Sequence, residues 1–253
     1  MNITKRFLLT ILKSFAFDMH ISNPCLDGSK LFLNWFWHKN YWISGKKRES
    51  KTIEFFNKKI QRHLTVFDVG GHIGQLTQVF ANSDQSVNVT VFEPDPKNIK
   101  YLNKNVSQLK NVELIQKGVS KKSGILDFYT VGLGGFMNSF SKDFIKASDV
   151  LKNYFFLTDY QTVKVNVITL DEYCANKKTY PDFLKIDVEG HELSVLHGAT
   201  QVLTQLSALA IEVTQDKIEI IDLLIENGFK IVDMDTLLVN SNDNTEINLF
   251  AEK

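Results

Sequence analysis

From about residue 64 onward the chain alternates short apolar runs with stretches of helical periodicity, and no other feature constrains its fold as much. Leu64 to Val69 reads as a strand ending in glycines, and Ile73 to Ala81 as a helix. Val87 to Phe92 is a second predicted strand, Pro96 to Leu109 a second helix and Val112 to Gln116 a third strand. Phe183 to Ile186 is the fourth strand, followed by a helix from about Glu192 to Gln205. At 3.6-residue spacing that helix sets Val195, Leu196, Ala199, Val202, Leu203 and Leu206 on one face. Leu209 to Val213 is a fifth strand, Ile218 to Glu226 a helix stopped by Gly228, and Phe229 to Val232 and Ile247 to Ala251 are the last strands. Such alternation predicts an α/β fold with a mostly parallel sheet covered on both faces. The last two strands are joined only by a polar loop, Asn240 to Asn244, so one of them should run antiparallel. An excursion over about residues 123 to 180 carries Gly132, Gly134 and Gly135, then Phe136 to Ser139, and an alternating stretch, Val163 to Val167, that predicts an extra strand.

Residues 1–60 read as an N-terminal extension and residues 61–253 as the main domain. Lys5 and Arg6 precede the apolar run Phe7 to Leu12, but Lys13 interrupts it and no small-residue cleavage site follows. The run is far short of the roughly 20 residues that span a bilayer. A docked helix is expected, or peripheral membrane contact through residues 1–17, rather than a secretion signal. Leu31 to Trp37 is densely aromatic, Tyr41 and Trp42 follow, and all three tryptophans fall here. Packing on the main domain, a lid or acceptor surface, and an oligomer contact all remain open for this segment. The polar stretch Ser44 to Glu49 reads as a loop. Charge is balanced, 29 basic against 29 acidic residues, which gives no electrostatic case for a nucleic-acid partner. Two cysteines, Cys25 and Cys174, cannot make a disulfide framework or a four-cysteine zinc site, and a cytoplasmic location is expected.

The chemistry concentrates in three runs. Val66-Phe67-Asp68-Val69-Gly70-Gly71-His72-Ile73-Gly74 takes a strand into a glycine-rich turn and then a helix. Glycines let the backbone turn tightly and approach a ligand closely. Glu93, in Phe92-Glu93-Pro94, ends the second strand about 20 residues on, where a carboxylate can accept hydrogen bonds from ribose hydroxyls. Together they describe a nucleoside site at the carboxyl ends of the strands. A dinucleotide fingerprint would need a glycine where Val69 stands. S-adenosylmethionine has no pyrophosphate to cradle, and its ammonium and sulfonium suit a nearby carboxylate such as Asp68.

These runs, with Lys185-Ile186-Asp187-Val188-Glu189-Gly190-His191-Glu192 and the closing Asn248-Leu249-Phe250-Ala251, resemble the FkbM-type methyltransferases over roughly residues 64 to 253. The resemblance implies a Rossmann-like class I methyltransferase fold, a mostly parallel seven-strand sheet with one antiparallel strand, here carrying a helical and aromatic N-terminal extension. It implies S-adenosyl-L-methionine as cofactor and usually O-methylation, with a sugar, glycan or related small-molecule acceptor. On the same ground Asp68, Gly70 and Gly74 should line the methionine portion, Glu93 should hold the ribose, Gly118, Val119 and Ser120 fall where such enzymes contact adenine, and Gly71, His72, Pro94 and Asp187 complete the cofactor-binding set. The bland alternative for Gly71 and His72 is a plain tight turn with a solvated histidine.

Asp187, Glu189, His191 and Glu192 follow the fourth strand at the mouth of this site. An alcohol needs a positioned base, for which His191 has a suitable unperturbed pKa and Asp187 or Glu189 would serve if burial raised theirs. Glu192 could instead only stabilise the next helix against its dipole. The same cluster could hold Mg²⁺, though no ligand spacing demands it. His197 is expected to be partly buried. Two rivals stand beside the methyltransferase: an NAD-dependent oxidoreductase with a degenerate turn, and a non-catalytic nucleoside-binding protein, against which the intact Asp68, Gly70, Glu93 and Asp187 argue.

Overall fold

In the computed structural model the described residues are 11, 14–43, 49–59, 64–131, 137–147, 161–233 and 247–253. They begin with a hairpin of β1 (Asp18–Ser22) and β2 (Lys30–Asn34), followed by helices α1 (Lys39–Ile43) and α2 (Ser50–Lys59). The order then runs β3 (Thr65–Val69), α3 (Gln75–Ser83), β4 (Asn88–Phe92), α4 (Pro96–Val106), β5 (Val112–Ile115), β6 (Gly118–Val119) and β7 (Gly124–Thr130). After α5 (Lys142–Ala147) come β8 (Gln161–Ile168), α6 (Leu170–Lys177), β9 (Phe183–Ile186), α7 (Glu192–His197) and α8 (Thr200–Gln205). β10 (Ala208–Val213), α9 (Lys217–Glu226), β11 (Lys230–Asp233) and β12 (Ile247–Glu252) close the chain.

Seven strands form one sheet in the order β11-β12-β10-β9-β3-β4-β5. β3, β4, β5, β9 and β10 run parallel, while β12 is antiparallel to both β10 and β11. This is the mostly parallel seven-strand α/β sheet expected from the alternation, with β12 as its one antiparallel strand. Strands covered on both faces need apolar residues throughout. Phe183, Leu184 and Ile186 of β9 are fully buried, as are Val66 and Phe67 of β3. The strand order reverses between β3 and β9, and at such a switch point the loops part to leave a crevice.

The excursion after β5 builds a second sheet, β6-β8-β7, in which the expected extra strand is β8. It brings Gly118 and Val119 beside the end of the main sheet.

Three expectations are corrected. The helix over 192–205 is two helices, α7 and α8, broken at Gly198. The Gly198 carbonyl accepts from the Asp171 N–H (3.0 Å), and the Asp171 carboxylate in turn accepts from the N–H groups of Gln201 and Val202, giving α8 its own start. The residues expected on one face are still all buried. His197, in the last turn of α7, is exposed, its Nε2 3.9 Å from Glu219, because the break turns that end of α7 toward α9 and solvent. The N-terminal extension is not only helical: Leu31 and Leu33 of the β1–β2 hairpin pack on Ile73 beside the glycine turn. Among the described residues no helix is long and apolar enough to cross a membrane. The apolar run Phe7 to Leu12 except Ile11, the loop from Ser44 to Arg48, Gly132 to Phe136 and Asn240 to Asn244 lie outside the described residues.

Candidate active site

The turn after β3 is shaped by close approach. Gly70 has φ of 84°, and a Cβ placed there would stand 1.8 Å from the Asp187 carbonyl oxygen. At Gly71 an added Cβ would meet Val91 at 2.1 Å. The Gly70 and Gly71 N–H groups both donate to the Phe92 carbonyl, which sews the turn to the end of β4. Gly74 has φ of 86° and packs on Leu102 of α4, so it closes the helix against its neighbour and does not border the cavity.

Around this turn lies a cavity that is open to solvent on one side. Gly70, Gly71, His72, Glu93, Pro94, Gly118, Val119, Asp187 and Glu189 border it, whereas Asp68, Gly74, Ser120 and His191 do not. Residues not assigned a role from the sequence also line it: Tyr41, Glu49, Gln75, Asn98, Phe128, Asn138, Phe140 and Lys185.

Glu93 sits at the floor. Its Oε2 accepts the His72 N–H at 2.9 Å, and its Oε1 accepts the Asp95 N–H (2.9 Å) and the Asn98 amide (3.2 Å). Burial pushes its carboxyl up to about 8, against the pull of these donors. Asp95 caps α4 through the Lys97 N–H and takes the Asn138 amide at 2.6 Å, which ties the second sheet's loop to the site.

Asp68 is fully buried, and its Oδ1 makes no hydrogen bond among the described residues. Its Oδ2 accepts the Thr77 hydroxyl (2.6 Å), and Lys185 Nζ stands 3.2 Å from its Oδ1. Lys185 also donates to the Gly70 carbonyl (2.9 Å) and lies 3.6 Å from the carboxylate of Asp187, a residue that borders the cavity. Although burial lowers it, the lysine's pKa is raised by Asp68 and Asp187. The signal for Lys185 was a lone charge in an otherwise apolar strand, Phe183-Leu184-Lys185-Ile186.

His72 is not a solvated turn histidine. It adopts φ of 51°, and its ring stacks on Tyr41 (5.5 Å, 10°) with Nδ1 2.5 Å from the Tyr41 hydroxyl. The N-terminal extension therefore forms one wall of the cavity. His191 starts α7; its Nε2 pairs with Ser120 Oγ at 3.0 Å, its ring packs on Phe140, and burial pushes it down to about 4. Glu192 is buried and structural, accepting from the Gly190 N–H (2.8 Å) and the Thr214 hydroxyl (3.2 Å), with burial raising it to about 7. With His191 and Glu192 so engaged, no group of three His, Cys, Asp or Glu able to hold a metal ion exists among the described residues.

Residues 68–231 match the methyltransferase FkbM domain. The chain belongs to that family. FkbM membership sets aside the NAD-dependent oxidoreductase considered from the sequence. The chain is 25% identical over 173 residues to the hexuronic acid methyltransferase AglP of Haloferax volcanii, covering 68% of this chain and 64% of that protein. It is 24% identical over 147 residues to the 2-O-methyltransferase NoeI of Sinorhizobium fredii, covering 55% of this chain and 59% of that one. The chain thus spans less than two thirds of the length of these curated relatives. In fold it is similar to the SAM-dependent methyltransferase from Agrobacterium tumefaciens, with a TM-score of 0.50, 11% identity, and 92% of this chain and 69% of that chain covered. The FkbM fold here is thus the class I methyltransferase fold.

Proposed function

We propose that this protein transfers a methyl group from S-adenosyl-L-methionine to a hydroxyl oxygen of a sugar, glycan or related small molecule. The observation that carries the reading is the pairing of the glycine turn with Glu93. Gly70 and Gly71 leave no room for side chains, and Glu93 holds its carboxylate at the cavity floor beside them. Among the described residues only one N–H reaches Glu93 Oε2, so a lone pair is left for a ligand hydroxyl. Gly71, His72 and Pro94 line the cavity on either side of Glu93, and Val119, Phe128 and Phe140 would give the base an apolar berth beside Gly118.

When bound, S-adenosylmethionine supplies a methyl group on a positively charged sulfur, ready for attack by oxygen. The chain's part is orientation and proton removal. Asp187 and Glu189 both border the cavity, and we assign them the acceptor proton. Lys185 holds Asp187 at the mouth, and Asp68 acts through Lys185 rather than on the ligand. His191 and Ser120 act as positioning residues behind Phe140. Within the 1–60 extension the described hairpin docks on the 61–253 unit, and Tyr41 walls the acceptor side. The names of the two curated relatives support a carbohydrate acceptor and a 2-hydroxyl or uronic acid as the first compounds to screen, and we place the reaction in the cytoplasm.

Calorimetric titration with S-adenosylhomocysteine, beside NAD and beside a Glu93→Ala variant, tests the cofactor. Saturable binding of S-adenosylhomocysteine alone, weakened in the variant, is expected. A folded protein that binds no S-adenosylhomocysteine would sink the reading. A screen of glycans with labelled S-adenosylmethionine, scored by mass, then identifies the acceptor.

A further inference from the structure

Of the eight large apolar side chains exposed among the described residues, five lie within the first 43 positions: Ile11, Phe15, Phe17, Trp42 and Ile43. Phe15 is 67% and Ile43 63% exposed. Phe15, Phe17 and Trp42 are joined through Trp35. The Trp35 indole N–H donates to the Phe15 carbonyl (2.7 Å), and its ring lies 5.9 Å from that of Phe17. The Trp42 indole N–H donates to the Trp35 carbonyl (2.9 Å), and Ile43 follows Trp42 on α1. Both indole N–H groups are thus spent on the backbone, and what these rings offer outward is carbon. Exposed apolar surface gathered in one place marks a site of interaction.

The same segment carries an imbalance of charge. Residues 1–48 hold eight basic side chains against two acidic ones, Asp18 and Asp27, although the whole chain is neutral. Lys46, Lys47 and Arg48 come within five positions of Ile43 in sequence. Asp18 is already covered, by Lys100 Nζ (2.6 Å), the Tyr101 hydroxyl (2.8 Å) and the Asn34 amide (2.9 Å). Exposed aromatic and aliphatic side chains set in an excess of Lys and Arg suit an anionic bilayer, where rings enter the headgroup region and cations meet lipid phosphates. A second copy of this surface would set like charge against like. A single-stranded nucleic acid would use the rings, but Ile43 gives a base nothing to stack on. We propose that the surface of Phe15, Phe17, Trp42 and Ile43 docks the protein on an anionic lipid bilayer. The surface adjoins the cavity, because α1 carries Tyr41 on the cavity wall and Trp42 and Ile43 in solvent. A docked protein therefore holds that wall near the lipid headgroups.

The test is flotation of the full chain with vesicles of phosphatidylcholine alone and of phosphatidylcholine with about one third phosphatidylglycerol, at low and at high salt. The protein should float with the anionic vesicles and be released in part by salt. Its tryptophan emission should shift to the blue on binding, since all three tryptophans, Trp35, Trp37 and Trp42, lie in this segment. A Phe15→Ser, Phe17→Ser double variant and a separate Trp42→Ser variant should each weaken vesicle binding by about tenfold or more. Thermal melts followed by circular dichroism identify the variants that keep the parent fold. Absence of flotation with anionic vesicles, equal flotation with neutral ones, or undiminished binding by the folded variants overturns the assignment. So does a dimer in light scattering that the substitutions break, which makes a second copy the occupant, or tighter binding of a single-stranded oligonucleotide than of vesicles.

Discussion

Lys185 on β9 and Asp68 on β3 face each other at 3.2 Å across neighbouring parallel strands, both buried, directly beneath the turn that borders the cavity. A buried pair is costly to break from one side, because the remaining charge is left in a poorly solvating interior. Lys185→Met should lower stability by about 3–5 kcal/mol. Adding Asp68→Asn should recover part of that loss. Urea denaturation of the two single variants and the double variant measures the coupling, and strict additivity would show that the pair does not interact.

Gly70 and Gly228 share a positive φ, 84° and 81°, but differ in space: an added Cβ meets the Asp187 carbonyl at Gly70 and nothing within 4 Å at Gly228. Gly228→Ala should therefore cost only the backbone term, about 1–2 kcal/mol. Gly70→Ala should cost about 2–5 kcal/mol and abolish S-adenosylhomocysteine binding, because either the turn or the β9 end must move. Thermal melts with and without ligand compare the two.

Asp187 reaches the cavity and His191 does not. Asp187→Asn should reduce kcat by about 10²- to 10⁴-fold while leaving S-adenosylhomocysteine affinity within a few-fold. His191→Ala should cost about tenfold or less. The reverse ranking, read from initial rates with the identified acceptor, would make the histidine the base.

Glu93, raised to about 8, and Glu192, raised to about 7, hold their protons more tightly folded than unfolded. The folded state then binds more protons, so stability falls as pH rises from the ordinary glutamate range toward 8. His191, lowered to about 4, acts oppositely, destabilising as pH falls below the usual histidine value. Between about pH 6.5 and 8 only the glutamates contribute. Ligand-free protein should lose stability across that window, and Glu192→Gln should flatten the slope. A slope unchanged by Glu192→Gln in denaturation at stepped pH would contradict the assignment.

The parallel core was legible because strands buried on both faces carry continuous apolar runs and their turns carry glycines. Glu93 was legible because its spacing from the turn is set by one strand–helix–strand unit. The break at Gly198 was not, since the apolar face continues across it and only the distant Asp171 carboxylate gives α8 a separate start. Lys185 stood inside a recognised run, yet its partner Asp68 is 117 positions away, and pairing at that range follows from sheet order. Asp68 was read as a ligand contact because an acid at a strand end looks the same whether it faces a cavity or a buried lysine. The hairpin was missed because aromatic density masks strand alternation.

Asn105 joins parts of the chain that are far apart in sequence. Its amide takes the Phe32 N–H, donates to the Phe32 carbonyl and also donates to the Ile73 carbonyl, while Gln78 holds the Lys30 carbonyl and Asn23. The hairpin is synthesised before α4, and the amide that seats it arrives 73 residues later. Docking of this segment must therefore wait for α4, and because the same amide grips the loop before α3, the ligand turn acquires its final shape in the same late event.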